Sequence, residues 1–309
     1  MSSIEKIVVG TRGSRLAQVQ TRLVVAALQQ RLPRLEVEVS TVKTGGDRDK
    51  ASPFASFAEK GIFVKELEEE LLAGRIDIAV HSLKDMPTEL PDRLTLAAVL
   101  PRESPLDSLV SRENKLLSGL DSGARVGTGS LRRRAFVLRK RPDVEVNEIR
   151  GNLDTRLRKV HDGQYEAVVV SQAAMLRMGK ASSIAEVFPA AECLPAPGQG
   201  AIAIEARSDS EAVLELVGFL DHPYSRNEVV AERSFLAALG GGCRVPVGSL
   251  ATRKGEEFEI RGDISAPDGS RRIAGEMRGQ VKCVEDAENI GVALGQELLA
   301  KGAKELLSW

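Results

Sequence analysis

A cysteine follows directly on three glycines in Gly240-Gly241-Gly242-Cys243, and Arg244-Val245-Pro246-Val247-Gly248 comes next. Glycines remove the side chains that would screen a sulfur, and Arg244 favours the thiolate, so the thiol is reachable as an attachment point or a nucleophile. The same residues also suit a plain turn holding a small, half-buried cysteine. A second cluster lies at the end of an apolar run, where Ile76-Asp77-Ile78-Ala79-Val80 leads into His81-Ser82-Leu83-Lys84-Asp85-Met86 and stops at Pro87. Ligands of open α/β sheets gather at the carboxyl ends of strands, which makes Asp85 the general acid/base candidate with Lys84 beside it. The competing reading is an exposed surface pair. His81, just leaving the strand, reads as hydrogen-bonded structure.

Arginines make the third constellation. Thr11-Arg12-Gly13-Ser14-Arg15 joins the first apolar run to a helix-period segment, Gly127-Thr128-Gly129-Ser130-Leu131-Arg132-Arg133 does the same further on, and Arg150-Gly151-Asn152-Leu153-Asp154-Thr155-Arg156 does so a third time. Free backbone N–H groups and an N-cap hydroxyl at such a turn welcome an anion. Neither a Walker pattern nor a Gly-x-Gly-x-x-Gly fingerprint is present, so carboxylates, which the guanidinium fork matches in pairs, are expected rather than nucleotide phosphates. Arg134, Arg139, Lys140 and Arg141 read instead as a solvated helix face. An acyl transferase using Cys243 would need a histidine partner, and nothing puts His81, His161 or His222 beside it.

The elements that must hold these groups alternate. Ile7 to Val9, Leu35 to Val42, Ile76 to Val80, Arg125 to Thr128, Val144 to Ile149, Ala167 to Val170 and Ala201 to Ala206 read as strands. Helices are expected over Ser14 to Arg31, Ile62 to Ala73, Leu131 to Lys140, Leu153 to Val160 and Ala173 to Met178. That order is α/β. Pro101 and Pro105 within Val99 to Val110, and later Pro195 to Gly200, read as crossings between domains. The last third changes character, with helices at Arg226 to Leu239 and Glu285 to Leu307 around alternating segments at Phe258-Ile260 and Ile273-Met277, as in a separate α+β domain.

Composition sets outer bounds. The 309 residues are 42% hydrophobic and 28% charged, with 43 Lys and Arg against 44 Asp and Glu, so the molecule as a whole has no positive excess to hold a nucleic-acid backbone. No apolar run is long enough to cross a bilayer, Met1 to Lys6 does not read as an export signal, and a cytoplasmic location without membrane or nucleic-acid partners is expected. Cys193, Cys243 and Cys283 are odd in number and far apart, which points to reduced thiols and to no metal site.

His81-Ser82-Leu83-Lys84-Asp85-Met86-Pro87, Gly127 to Arg133, Arg150-Gly151-Asn152 with Thr155-Arg156-Leu157, Pro197-Gly198-Gln199-Gly200 and Gly240 to Gly248 together resemble the porphobilinogen deaminase, or hydroxymethylbilane synthase, family, in that family's order. Thr11 to Ser14 and Lys60-Gly61-Ile62-Phe63-Val64-Lys65-Glu66-Leu67 also match. The resemblance implies a transferase of tetrapyrrole and haem biosynthesis that condenses four porphobilinogen molecules head to tail with loss of ammonia, then releases linear hydroxymethylbilane by hydrolysis. It implies a dipyrromethane cofactor on Cys243, with Lys84, Ser130, Arg132, Arg133 and Arg150 around it, and Asp85 as the catalytic residue. Arg12, Ser14, Arg150, Arg156, Arg177 and Gln199 would bind substrate, and Lys60 and Phe63 would belong to a mobile loop.

The implied fold is two α/β domains like those of periplasmic binding proteins flanking a cleft, plus a smaller α+β domain that carries the cysteine loop. Its boundaries would be 1–100 with 200–218, 101–199, and 219–309, in a monomer. The chain departs from the family pattern at Gly129, at Gly45-Gly46-Asp47 and at Ser171 to Met175, positions that bear on carboxylate anchoring and not on Asp85 or Cys243. The rival reading is a two-lobed carboxylate receptor or effector-sensing protein without catalysis.

Overall fold

The computed structural model describes residues 4–42, 64–240 and 245–307. Lys60, Phe63 and Cys243 lie outside them.

The apolar stretch at the start forms strand β1 (Lys6–Arg12), and helix α1 (Arg15–Arg31) leads back so that β2 (Glu36–Val42) pairs parallel with β1 in full register. Ser14 starts α1 by accepting a hydrogen bond on Oγ from the Ala17 N–H. Helix α2 (Lys65–Leu72) precedes β3 (Ile78–Ser82), which pairs on the other side of β1, and β4 (Leu94–Val99) forms an edge. The gap between β3 and β4 is filled from far away by β10 (Ile202–Arg207), antiparallel to both. Without this returning strand the first sheet would be split, so the described residues among 4–103 and 201–226 make one compact unit.

The second sheet repeats this plan. It is built from β5 (Asp107–Ser111), β6 (Arg125–Gly127), β7 (Glu145–Asn147), β8 (Ala167–Ser171) and β9 (Glu186–Val187), in the order β7-β6-β8-β5-β9 against β2-β1-β3-β10-β4 in the first. In each, three parallel strands are followed by an antiparallel one supplied across a chain crossing. Helices α3 (Leu131–Lys140), α4 (Leu153–His161) and α5 (Gln172–Arg177) begin at the ends of β6, of the segment after β7, and of β8. Short α6 (Glu211–Val217) and α7 (Pro223–Ala238) follow β10.

The last part is α+β, as expected. An antiparallel meander of β11 (Val247–Lys254), β12 (Glu257–Ser265) and β13 (Arg272–Gly279) is covered by α8 (Val284–Leu298), with Phe235, Phe258, Ile260, Ile264, Leu294 and Leu298 in its core. It forms one compact unit with the second sheet, made of the described residues among 104–200 and 227–307. Glu232 of α7, fully buried, ties the two by accepting from the Gly198 N–H at 2.7 Å and the Ala251 N–H at 2.9 Å.

Three expectations change. Val99 to Val110 is not only a crossing: its end is β5, whose first residue, a buried aspartate, hides the strand in a proline-rich stretch. β4 and β11 also go unmarked by apolar alternation because both faces of each are largely covered. The closing helix expected to Leu307 ends at Leu298, and a turn holding Gly302 at φ +92° separates it from α9 (Lys304–Leu307).

Candidate active site

In the first unit the residues singled out meet at one end of the sheet. β3 runs into a single helical turn, Leu83–Asp85, closed by Met86 N–H donating to the Leu83 carbonyl. Leu83 is buried and its N–H donates to the Ala201 carbonyl, so the turn that presents Lys84 and Asp85 is pinned at its root to the strand that completes the sheet. A recess at this end is lined by Arg12, Ser14, Gln20, Ser82 and Asp85, among others. Gln20 and Ser82 hold each other through two hydrogen bonds, at 2.9 and 3.0 Å, and the buried Thr21 hydroxyl donates to that of Thr11 at 2.7 Å. Sequence reasoning missed Gln20 and Ser82; a polar pair on the inner face of α1 and the last residue of β3 was the available signal. Asp85 is half-buried, shares the recess with Arg12 and follows Lys84 in the turn, and among the described residues none donates a hydrogen bond to its carboxylate.

In the second unit the arginines divide by burial. Arg132 and Arg133, at the start of α3, are both buried against Asp107, itself 0% exposed. Arg132 donates through Nη1 to Asp107 Oδ2 at 2.6 Å and to the Leu194 carbonyl at 2.7 Å. Arg133 donates from Nε and Nη2 to Asp107 Oδ1, from Nη1 to the Val169 carbonyl and from Nη2 to Gln199 Oε1. Gln199, 0% exposed, returns its amide to Asp107 Oδ1 at 2.8 Å and to the Pro105 carbonyl at 2.7 Å. Burial by itself would raise the Asp107 pKa, but two guanidiniums and the hydrogen bonds from Arg132 and Gln199 hold it well below the usual carboxylate range.

Arg133 and Gln199 thus both hold Asp107, and each also bonds a backbone carbonyl of the same lobe. Arg132 makes both of its hydrogen bonds named above from Nη1. Asp107 was not singled out because its partners are 25, 26 and 92 residues away. Cys193 packs against the same cluster, and burial first, with Asp107 second, pushes its thiol up to about 12, which disfavours the thiolate. Cys283 caps α8.

The remaining basic residues are partly exposed at helix starts and ends. Ser130 caps α3 by accepting from the Arg133 N–H, and Asn152 caps α4 by accepting from the Thr155 N–H. Arg150 donates to Glu148 Oε1 at 3.1 Å, Arg156 to the Gly151 carbonyl at 2.8 Å and Arg177 to the Gly200 carbonyl at 2.6 Å. Gly151 is required between the two arginines: its φ is +103°, and a Cβ there would stand 2.6 Å from Thr155 Cγ2. Gly151→Ala is expected to cost about 1–3 kcal/mol, read from urea unfolding.

In each unit, basic side chains stand at strand-to-helix turns, an arrangement suited to carboxylate groups. Among the described residues no group of His, Cys, Asp and Glu is arranged to hold a metal ion, and no helix is long and apolar enough to cross a membrane.

Comparison with known proteins agrees across the chain. The family model described as porphobilinogen deaminase, dipyromethane cofactor binding domain, matches residues 7–215, and the porphobilinogen deaminase C-terminal domain matches 227–300. The porphobilinogen deaminase of Roseiflexus sp. (strain RS-1) is 46% identical over 304 residues, covering 98% of this chain and 99% of that one. Those of Syntrophus aciditrophicus and Thermus thermophilus are each 44% identical, with coverage of 97% of both chains in the first case and 98% in the second.

Proposed function

Because the chain belongs to the porphobilinogen deaminase family, we propose that Asp85 carries its chemistry and that Cys243 holds its dipyrromethane. The activity is that of a hydroxymethylbilane synthase, a transferase of tetrapyrrole synthesis that joins four porphobilinogen molecules with loss of ammonia. The dipyrromethane, when bound, supplies the free pyrrole carbon on which the chain starts. A two-lobed receptor without catalysis is not favoured by the family relation.

Loss of ammonia leaves a cationic pyrrole methylene, and a carboxylate close to the ring N–H stabilises that charge as it develops. Asp85 supports this role: it follows β3 directly, its turn is pinned at Leu83, and no described residue donates to it. That unsatisfied carboxylate at the end of a buried strand is the observation that carries the reading. Arg12, Ser14, Lys84, Arg150, Arg156 and Arg177 hold substrate and chain carboxylates, with paired N–H donors where an arginine is used. Ser130 and Arg132 serve the cofactor. Arg133 also serves the cofactor and Gln199 the substrate, while both hold Asp107. The working protein is a cytoplasmic monomer in three domains.

Intact mass under denaturing conditions tests the whole reading. The purified chain is expected to carry a two-pyrrole adduct mapping to Cys243, growing by single-pyrrole steps when porphobilinogen is added. Cys243→Ser is expected to show the bare polypeptide mass and no product. Tetrapyrrole assembly by that variant would overturn the assignment.

A further inference from the structure

Behind the recess that contains Asp85 lies a set of ionisable groups that no step above uses. His81, on β3, lines the recess, and its Nε2 meets Glu205 Oε2 of β10 at 3.0 Å, both side chains being almost wholly buried. Glu68 of α2 is buried in the same space, where α2 packs on β3 and β10. Glu205 Oε1 and Glu68 Oε1 are shielded from solvent and find no hydrogen-bond partner among the described residues. An isolated buried carboxylate oxygen is costly unless a proton or an opposite charge reaches it, so two of them beside one imidazole imply a group that holds an exchangeable proton. Burial, then the nearby Glu205, pushes the Glu68 carboxyl up to about 7; His81 opposes this and Glu69 adds to it. Helix α2 itself also carries Lys65, Glu66 and Glu70. Of the elements packed on it, β4 has no charged residue, β1 has only Lys6 and Arg12 at its ends, and β10 adds Arg207 at its last position, where it pairs with Asp209.

We propose that Glu68, His81 and Glu205 act as one proton-holding unit behind Asp85, storing the proton released at each condensation until ammonia takes it. The proposal rests on the reading of Asp85 given above. When the new C–C bond forms, the proton on the attacking ring carbon moves to the Asp85 carboxylate, and the C–H electron pair restores the aromatic ring. From Asp85 the proton passes to the buried unit, which holds it as the Glu68 carboxyl beside His81 and Glu205. The ammonia expelled from the same substrate then takes it up as ammonium, so the unit ends as it began and no other reactant is needed. His81 and Glu205 are positioning residues in this scheme, and Glu68 is the group whose emptiness decides whether a proton can be accepted.

Glu68→Gln in the holoenzyme tests it. The expected result is a kcat lowered about 10-fold, little change in KM, and loss of the rise in kcat with pH around neutrality. Glu68→Asp, which keeps a carboxyl, is expected to retain that rise at a shifted pH. A second readout needs no cofactor: in the full chain as Cys243→Ser, infrared difference spectra between acid and neutral pH are expected to show a buried carboxyl losing its proton near neutrality, absent in the added Glu68→Gln variant. Stability has a sign as well. The folded chain keeps the Glu68 proton between about pH 4.5 and 7 while the unfolded chain has lost it, so stability falls as pH rises through that window and Glu68→Gln removes the fall. An unchanged pH profile in Glu68→Gln, or no carboxyl titrating near neutrality, overturns the proposal. Full turnover by Asp85→Asn would instead overturn the reading it rests on, and the infrared titration would stand apart from that failure.

Discussion

Asp85→Asn is expected to lower kcat by about 10²–10⁴-fold while leaving the melting temperature nearly unchanged. The substitution keeps the size and most of the hydrogen-bonding capacity of the side chain and removes only its charge. Two features of the site make the effect large. The turn Leu83–Asp85 is fixed by the Leu83 N–H to the Ala201 carbonyl and by the buried Leu83 side chain, so Asp85 is held in place without help from its own carboxylate. No described residue donates to that carboxylate, so its removal disturbs no internal bond while withdrawing the negative charge that stabilises a cationic pyrrole. Single-turnover measurement of ammonia release, alongside circular dichroism and thermal melting, checks this. A variant with more than a tenth of normal turnover would move the acid/base role away from Asp85. So would a parallel loss of fold, because the activity loss would then have a structural origin.

The second large effect is on the fold. Asp107→Ala is expected to destabilise the second unit by about 3–5 kcal/mol, because it leaves Arg132 and Arg133 buried with no counter-ion. Gln199 would lose an acceptor at the same time. The pH dependence follows from the direction of the Asp107 shift. Its folded-state pKa lies below the unfolded value, so its contribution is fully present above the ordinary carboxylate range and is lost as pH falls through and below it. Urea unfolding at neutral pH and in acid measures both effects, and the difference between wild type and Asp107→Ala is expected to shrink in acid. Asp107→Asn, with the same shape, separates charge from packing. A destabilisation below about 1 kcal/mol for the alanine variant would mean that the two arginines find water or a ligand instead, and that Asp107 is not the hub of the lobe.

The two results bear on one another. Arg132, proposed above to serve the cofactor, has its Nη1 held by Asp107 and the Leu194 carbonyl. A loosened Asp107 cluster therefore weakens cofactor retention as well as stability, whereas Asp85→Asn leaves the cofactor in place. Intact mass distinguishes the two variants in a single experiment.

Much of this protein was legible along the chain. Helix α3 has the bounds that its apolar spacing and Ser130 imply, α1 begins after Ser14 as its hydroxyl suggests, and β1, β2, β6 and β8 lie where short apolar runs stand between turn residues. These are local effects: periodicity and capping depend on residues a few positions apart. The motif order likewise sufficed to place the chain in its family, and the turn after β3 was visible as a strand running into polar residues before a proline. Tertiary structure decided the rest. That β10 closes the first sheet, that Glu205 reaches His81 across 124 residues, that Asp107 neutralises two arginines expected at the ligand, and that Gln199 is wholly buried all depend on pairings between distant segments. An arginine at a helix start has the same sequence signature whether it faces a ligand or a buried aspartate. Only the packing of one sheet against its helices selects between them, because it determines which guanidinium nitrogens lose water and must find a partner inside.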